Sequence, residues 1–179
     1  MKLDVDFILE PLQYDLSSII ELTEKLSRQE WVNWSLRQNR WLDHKDTKTY
    51  PFIWDEDTAD YTNSKGLEYF NLDTPLWKCI KPLVDILEVK YKGRATTAML
   101  ALLPSKGVIP EHDDGGSLIK VHRLHIPIIT NDKVYFFVNS TGYNLTVGNI
   151  YELNNVAPHG VYNLSEKDRV HLMIDITPN

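Results

Sequence analysis

A chain of 179 residues is long enough to bury a real core and fits a single domain. Its formal net charge of −6 and isoelectric point near 5.5 argue against a nucleic-acid partner, since binding phosphates calls for a basic patch. One cysteine, Cys79, rules out an internal disulfide and suits a reducing compartment.

The N-terminal residues are too acidic and too poor in apolar side chains for a signal peptide, and no stretch approaches the roughly 20 apolar residues of a membrane span. A cytoplasmic protein with no membrane partner is therefore expected, and the Asn-x-Ser/Thr patterns at Asn33, Asn139, Asn144 and Asn163 are incidental. In chain order, residues 17–30 place Ile19, Ile20, Leu22 and Leu26 at helical spacing among charges, which predicts an amphipathic helix lying on a sheet. Residues 31–71 are polar and hold Trp31, Trp34, Trp41 and Trp54; they read as long loops whose tryptophans anchor on the core, some of them lining a substrate mouth on the sharper reading. A second helix is predicted over 75–91, with Pro75 at its first position and Leu76, Ile80, Leu83 and Leu87 as its stripe; Pro82 predicts a kink or a break. Cys79 lies on that segment among apolar neighbours and reads as a structural thiol.

After Gly93 the pattern changes to short β-rich runs at 95–103, 118–130, 133–138, 149–153 and 169–176. Asn131-Asp132 reads as a compact hairpin turn, with further turn chemistry at 140–142 and 147–149. Helices followed by many short strands indicate an α+β or mainly-β fold in one domain, 1–179, with 1–93 as helical and loop support and 94–179 as the β core.

The chemistry-bearing residues concentrate in that second half. On an extended segment His112 and Asp114 share a face because strand side chains alternate, and Asp113 points away. With His159, in Ala157-Pro158-His159-Gly160, they make two imidazoles and one carboxylate, the donor set of non-haem Fe(II) oxygenases. Zn(II) takes the same donors, so a zinc hydrolase stays open; a solvated acidic turn and a turn histidine are the plain alternatives. Arg169 opens an apolar strand, where a buried guanidinium needs a carboxylate, either a ligand's or an internal one such as Asp168 or Asp175. Arg123 and His125 share one strand face, and Leu124, Ile126 and Ile128 the other.

The runs 122–128 and 168–176, together with His112-x-Asp114, His159 and an arginine ten residues later, resemble the aspartyl/asparaginyl β-hydroxylase family over about 96–176. The resemblance implies a double-stranded β-helix, a jelly-roll barrel flanked by the N-terminal helices. It also implies Fe(II), 2-oxoglutarate and O2 as cofactor and cosubstrates, with His112, Asp114 and His159 as metal ligands and catalytic residues. By the same resemblance Arg169 holds the distal carboxylate of 2-oxoglutarate, His125 contacts its C1 side, and Arg123 holds that carboxylate or an acidic group of the substrate. The family's serine that assists the arginine has no counterpart near 99–101, and His122 and His171 are given structural roles. The intact His-x-Asp departs from the animal branch, which holds iron with two histidines, and agrees with small bacterial amino-acid hydroxylases, to which 44–50 are also similar. The reaction implied is hydroxylation of an unactivated C–H bond in an amino acid or an amino-acid residue of a small-molecule or peptide substrate, 2-oxoglutarate being converted to succinate and CO2. A non-catalytic β-helix module sensing a small carboxylate is the alternative of another class.

Overall fold

The computed structural model describes residues 2–31, 44–55 and 66–179. Among them are eleven strands, β1 (Phe7–Leu9), β2 (Lys48–Asp55), β3 (Leu67–Tyr69), β4 (Gly93–Leu103), β5 (Val108–His112), β6 (His122–Ile129), β7 (Val134–Val138), β8 (Thr141–Tyr143), β9 (Tyr151–Leu153), β10 (His159–Asn163) and β11 (Arg169–Pro178). They form two antiparallel sheets, a larger one ordered β1-β9-β6-β11-β4-β2-β3 and a smaller one ordered β5-β10-β7-β8. The sheets face each other as the double-stranded β-helix expected, and two helices, α1 (Ser17–Glu24) and α2 (Pro75–Tyr91), cover the outer face of the larger one.

Alternation decides which side each strand residue serves. On β11, Val170, Leu172, Ile174 and Ile176 pack under the helices, whereas Arg169 and Met173 face the space between the sheets. On β6, Leu124, Ile126 and Ile128 join the helix-side core, and Arg123 and His125 face inward. Each fully buried aliphatic on the helix side contributes about 1.5–3 kcal/mol of transfer free energy. A second cluster, with Leu103, Ile109, Phe136, Leu153 and Val161, closes one end of the space between the sheets.

Helix α2 runs over the predicted span. Thr74 caps it, its hydroxyl accepting from the Trp77 amide at 3.2 Å, and Lys92 ends it in the left-handed conformation. Pro82 does not break the helix, which runs through it at an exposed position. Helix α1 is shorter than predicted, because the Ser27 amide donates to the Glu30 carboxylate at 2.8 Å and the chain turns away. No helix among the described residues is long and apolar enough to cross a membrane.

Three readings of the chain are corrected. Residues 48–55, taken as loop, form β2 inside the larger sheet; Pro51, which disguised them, is absorbed by a register shift between Pro51 and Ile53 against β4. Residues 118–120 of the predicted strand 118–130 belong instead to a 3-10 turn, Gly116–Lys120, and the strand starts at His122. Asn131-Asp132 is not a hairpin, since β6 and β7 lie in different sheets and the connection crosses between them. The tight hairpin joins β7 to β8 instead, with Asn139 and Ser140 at φ 48° and 65° between the paired Val138 and Thr141, as a two-residue turn of this hand requires. Strands β1, β2 and β3 all come from residues before 93, which thus supply sheet as well as helices. Trp31 packs edge-on to Tyr50 and Trp54 is buried, whereas Trp34 and Trp41 lie outside the described residues.

Candidate metal and cosubstrate site

The space between the sheets holds a cavity of about 290 Å³. Its polar end is built on a cross-strand pair: His112, the last residue of β5, lies opposite His159, the first of β10. Their ring centroids are 4.4 Å apart. Gly160 allows this approach, because a Cβ there would sit 2.9 Å from the Ile109 carbonyl oxygen and force β5 and β10 apart.

Each imidazole is oriented from behind. The Nδ1 of His112 bonds the Pro110 carbonyl at 2.8 Å and the Nδ1 of His159 bonds the Ala157 carbonyl at 2.9 Å. A ring N–H given to a carbonyl leaves the other nitrogen with its lone pair, so Nε2 is the atom available to a metal in both. Burial pushes the His159 pKa below its usual value against the opposing pull of Asp114, which keeps the imidazole neutral as a ligand must be.

Asp114 follows just beyond the end of β5 and is buried, whereas Asp113 is exposed. Its amide donates to the Asn155 carbonyl at 3.0 Å, and the Asn155 side chain in turn donates to the Leu118 carbonyl at 2.6 Å. One ligand atom from each of His112, Asp114 and His159 lies within 4.8 Å of the others. Two imidazoles oriented from behind and one buried carboxylate fit a divalent transition metal. His44 stands edge-on to His112 at 5.3 Å and also lines the cavity.

Arg169 lies on the cavity wall of β11 at 2% exposure. Its Nη2 donates to the Nδ1 of His171 at 2.5 Å, so His171 accepts there and carries its proton on Nε2, a buried atom with no hydrogen-bond partner among the described residues. Burial and the Arg169 charge hold the His171 pKa well below its usual value. The internal acids considered for Arg169 are engaged elsewhere: Asp168 accepts from the Ser105 amide at 2.9 Å, and Asp175 pairs with Arg123. His125 lies on the cavity wall between the edges of Phe136 and His171, at centroid distances of 5.1 and 5.8 Å.

Arg123 has a setting the sequence did not suggest. Its Nε and Nη2 donate to the two oxygens of Asp175, each at 2.8 Å, and its Nη1 donates to Asp114 Oδ2 at 2.5 Å. His171, Asp175 and Asn155 were not singled out as functional. A signal for two of them was present, since 169, 171 and 175 fall on one parity of an otherwise apolar strand.

Comparison with known proteins agrees with this architecture. Residues 68–178 match the profile of the family described as aspartyl/asparaginyl beta-hydroxylase. Among solved structures, a 2OG-Fe(II) oxygenase family oxidoreductase from Burkholderia pseudomallei superposes with TM-score 0.67 at 13% identity, covering 97% of this chain and 85% of that one. HygX from Streptomyces hygroscopicus, solved with nickel and 2-oxoglutarate, gives 0.62 at 14% identity over 97% and 83%. The Trichoplax adhaerens prolyl hydroxylase, in complex with a hypoxia inducible factor peptide fragment, gives 0.59 at 12% over 96% and 83%. At these identities the likeness is one of fold. No curated protein matches the chain in sequence.

Proposed function

Because the chain belongs to the aspartyl/asparaginyl beta-hydroxylase family and is thereby a 2-oxoglutarate-dependent oxygenase, we propose that it hydroxylates an unactivated C–H bond of an amino acid, free or within a peptide, at the centre formed by His112, Asp114 and His159. The observation that carries this reading is the convergence of those three donors in a cavity whose wall also holds a buried arginine. When bound there, Fe(II) with 2-oxoglutarate and O2 supplies the oxidising power for hydroxylation, 2-oxoglutarate being converted to succinate and CO2.

The chain's own residues do the rest. His112 and His159 bind the metal through Nε2, and Asp114 adds the one anionic donor. Arg169 takes the distal carboxylate of 2-oxoglutarate in a charge-assisted fork, steadied by His171, which fills the place of the missing serine. His125 stands on the same inner face and contacts the C1 side of the cosubstrate. Phe136, Met173 and Trp54 give the cavity apolar walls that exclude water, and His44 lines it beside His112.

The intact His-x-Asp and the modest cavity favour a small substrate over a folded protein domain. The test is a screen of amino acids and short peptides for succinate release coupled to a product one oxygen atom heavier. Wild-type protein should couple the two for at least one substrate and His159→Ala should not; coupled turnover surviving in His159→Ala would refute the site.

A further inference from the structure

We infer that Arg123 and Asp175 are a positioning pair that holds the Asp114 carboxylate in the orientation a metal ion needs, an assignment that rests on the metal-site reading above. Asp175 on β11 lies directly opposite Arg123 on β6, in the middle of the larger sheet. Both are buried, Asp175 at 0% exposure. The two 2.8 Å contacts between them are a fork, which fixes the plane of the guanidinium as well as its distance. The third nitrogen of that fixed plane is the one that reaches Asp114 Oδ2.

Asp114 needs such a restraint. It stands outside any regular element and immediately before Gly115 and Gly116, the latter at φ 63°, with open space where either glycine would carry a side chain. A carboxylate on such a segment samples several rotamers unless something rigid selects one. Two adjacent central strands provide that rigidity, and Arg123 conveys it to the loop.

The charges require both members of the pair. Arg123 with Asp114 alone would be a neutral couple, leaving the metal site no net negative charge from this group of residues. Asp175 balances the guanidinium, so the three groups together retain the single negative charge that a cation sees. This explains why a carboxylate is fully buried on β11, at a depth where a lone charge would cost several kcal/mol.

The experiment is calorimetric titration of Mn(II) into the full-length chain without 2-oxoglutarate, so that cosubstrate contacts by Arg123 do not enter. The double variant Arg123→Met with Asp175→Leu replaces the pair by apolar side chains without stranding a charge. Outer-shell partners of metal ligands typically contribute 10–100-fold to affinity, so a loss of at least tenfold is expected, although a positive charge beside the site has been removed. Asp175→Asn, which keeps shape and leaves Arg123 in place, should also weaken Mn(II) and shift the visible absorption of bound Co(II), a report on ligand geometry that a general loss of stability does not move. Wild-type or tighter Mn(II) binding by the folded double variant, or an unchanged Co(II) spectrum in Asp175→Asn, would overturn the inference. His159→Ala in the same titration separates the two levels. If it loses Mn(II) while the pair variants keep it, only the positioning role fails; if it binds like wild type, the metal-site reading fails and the inference with it.

Discussion

Replacing Arg169 by methionine should separate cosubstrate binding from metal binding. Methionine keeps an unbranched stem of similar length against the β11 wall, where Arg169 is 2% exposed, and removes only the guanidinium. A bidentate contact with a carboxylate comprises two charge-assisted hydrogen bonds at about 1.5–3 kcal/mol each. Losing both costs about 3–6 kcal/mol, and with about 1.4 kcal/mol per factor of ten that is at least a hundredfold in affinity. The assay is calorimetric titration of 2-oxoglutarate into Mn(II)-loaded protein, with a Mn(II) titration of the metal-free protein beside it. The variant should bind 2-oxoglutarate at least about a hundredfold more weakly and Mn(II) about as well as wild type, since the three ligands belong to other elements than β11. Unchanged 2-oxoglutarate affinity would refute the anchor. Simultaneous loss of Mn(II) would mean that Arg169 serves the metal site instead.

Stability should fall on the acid side through the buried histidines. The folded chain holds the His171 pKa well below the ordinary 6.5, so below that pH the unfolded chain takes up a proton that the folded one refuses. The stabilising contribution is fully present above about pH 6.5 and is lost progressively as the pH falls below it. His171→Gln should show a correspondingly smaller loss in urea titrations at about pH 7 and about pH 5, and an identical loss would disprove the assignment. Asp114→Ala should lose Mn(II) affinity and coupled turnover together, whereas Asp113→Ala, altered at an exposed neighbour, should be nearly silent; equal damage would show that the wrong carboxylate has been placed on the metal. Gly160→Ala should destabilise the fold by about 1–3 kcal/mol and weaken Mn(II), because its Cβ meets the Ile109 carbonyl at 2.9 Å. Wild-type melting and metal binding in that variant would show that β5 and β10 can part without harm to the site.

The convergence of His112, Asp114 and His159 was legible in the sequence and the strand pairing was not. His112, Asp114 and His159 could be read because metal ligation demands particular residue types at short spacing, and Arg169 because a charge on an apolar strand needs a reason. The role of Arg123 could not be read the same way, since nothing local in 122–128 says that Asp175 lies across from it; that is a matter of register between strands far apart in the chain. Strand β2 was hidden because Pro51 is a breaker by composition, and only a bulge against β4 makes it harmless. Asn131-Asp132 has the composition of a hairpin, yet which sheet each flanking strand joins is decided by the burial of whole faces.

The opposition of His112 and His159 has one more consequence. Strand β5 is five residues long, lies at the rim of its sheet and is joined along its length to β10. A rim strand this short frays readily, and here its last residue and the residue facing it are both proposed ligands. A cation gripping the two rings fastens the open end of that ladder like a clasp, so the free energy of metal capture is returned as local order. Amide hydrogen exchange along 108–112 and 159–163 should slow on adding Mn(II), far more than at the centre of β11. Metal loading and the order of the cavity rim are then coupled in one equilibrium.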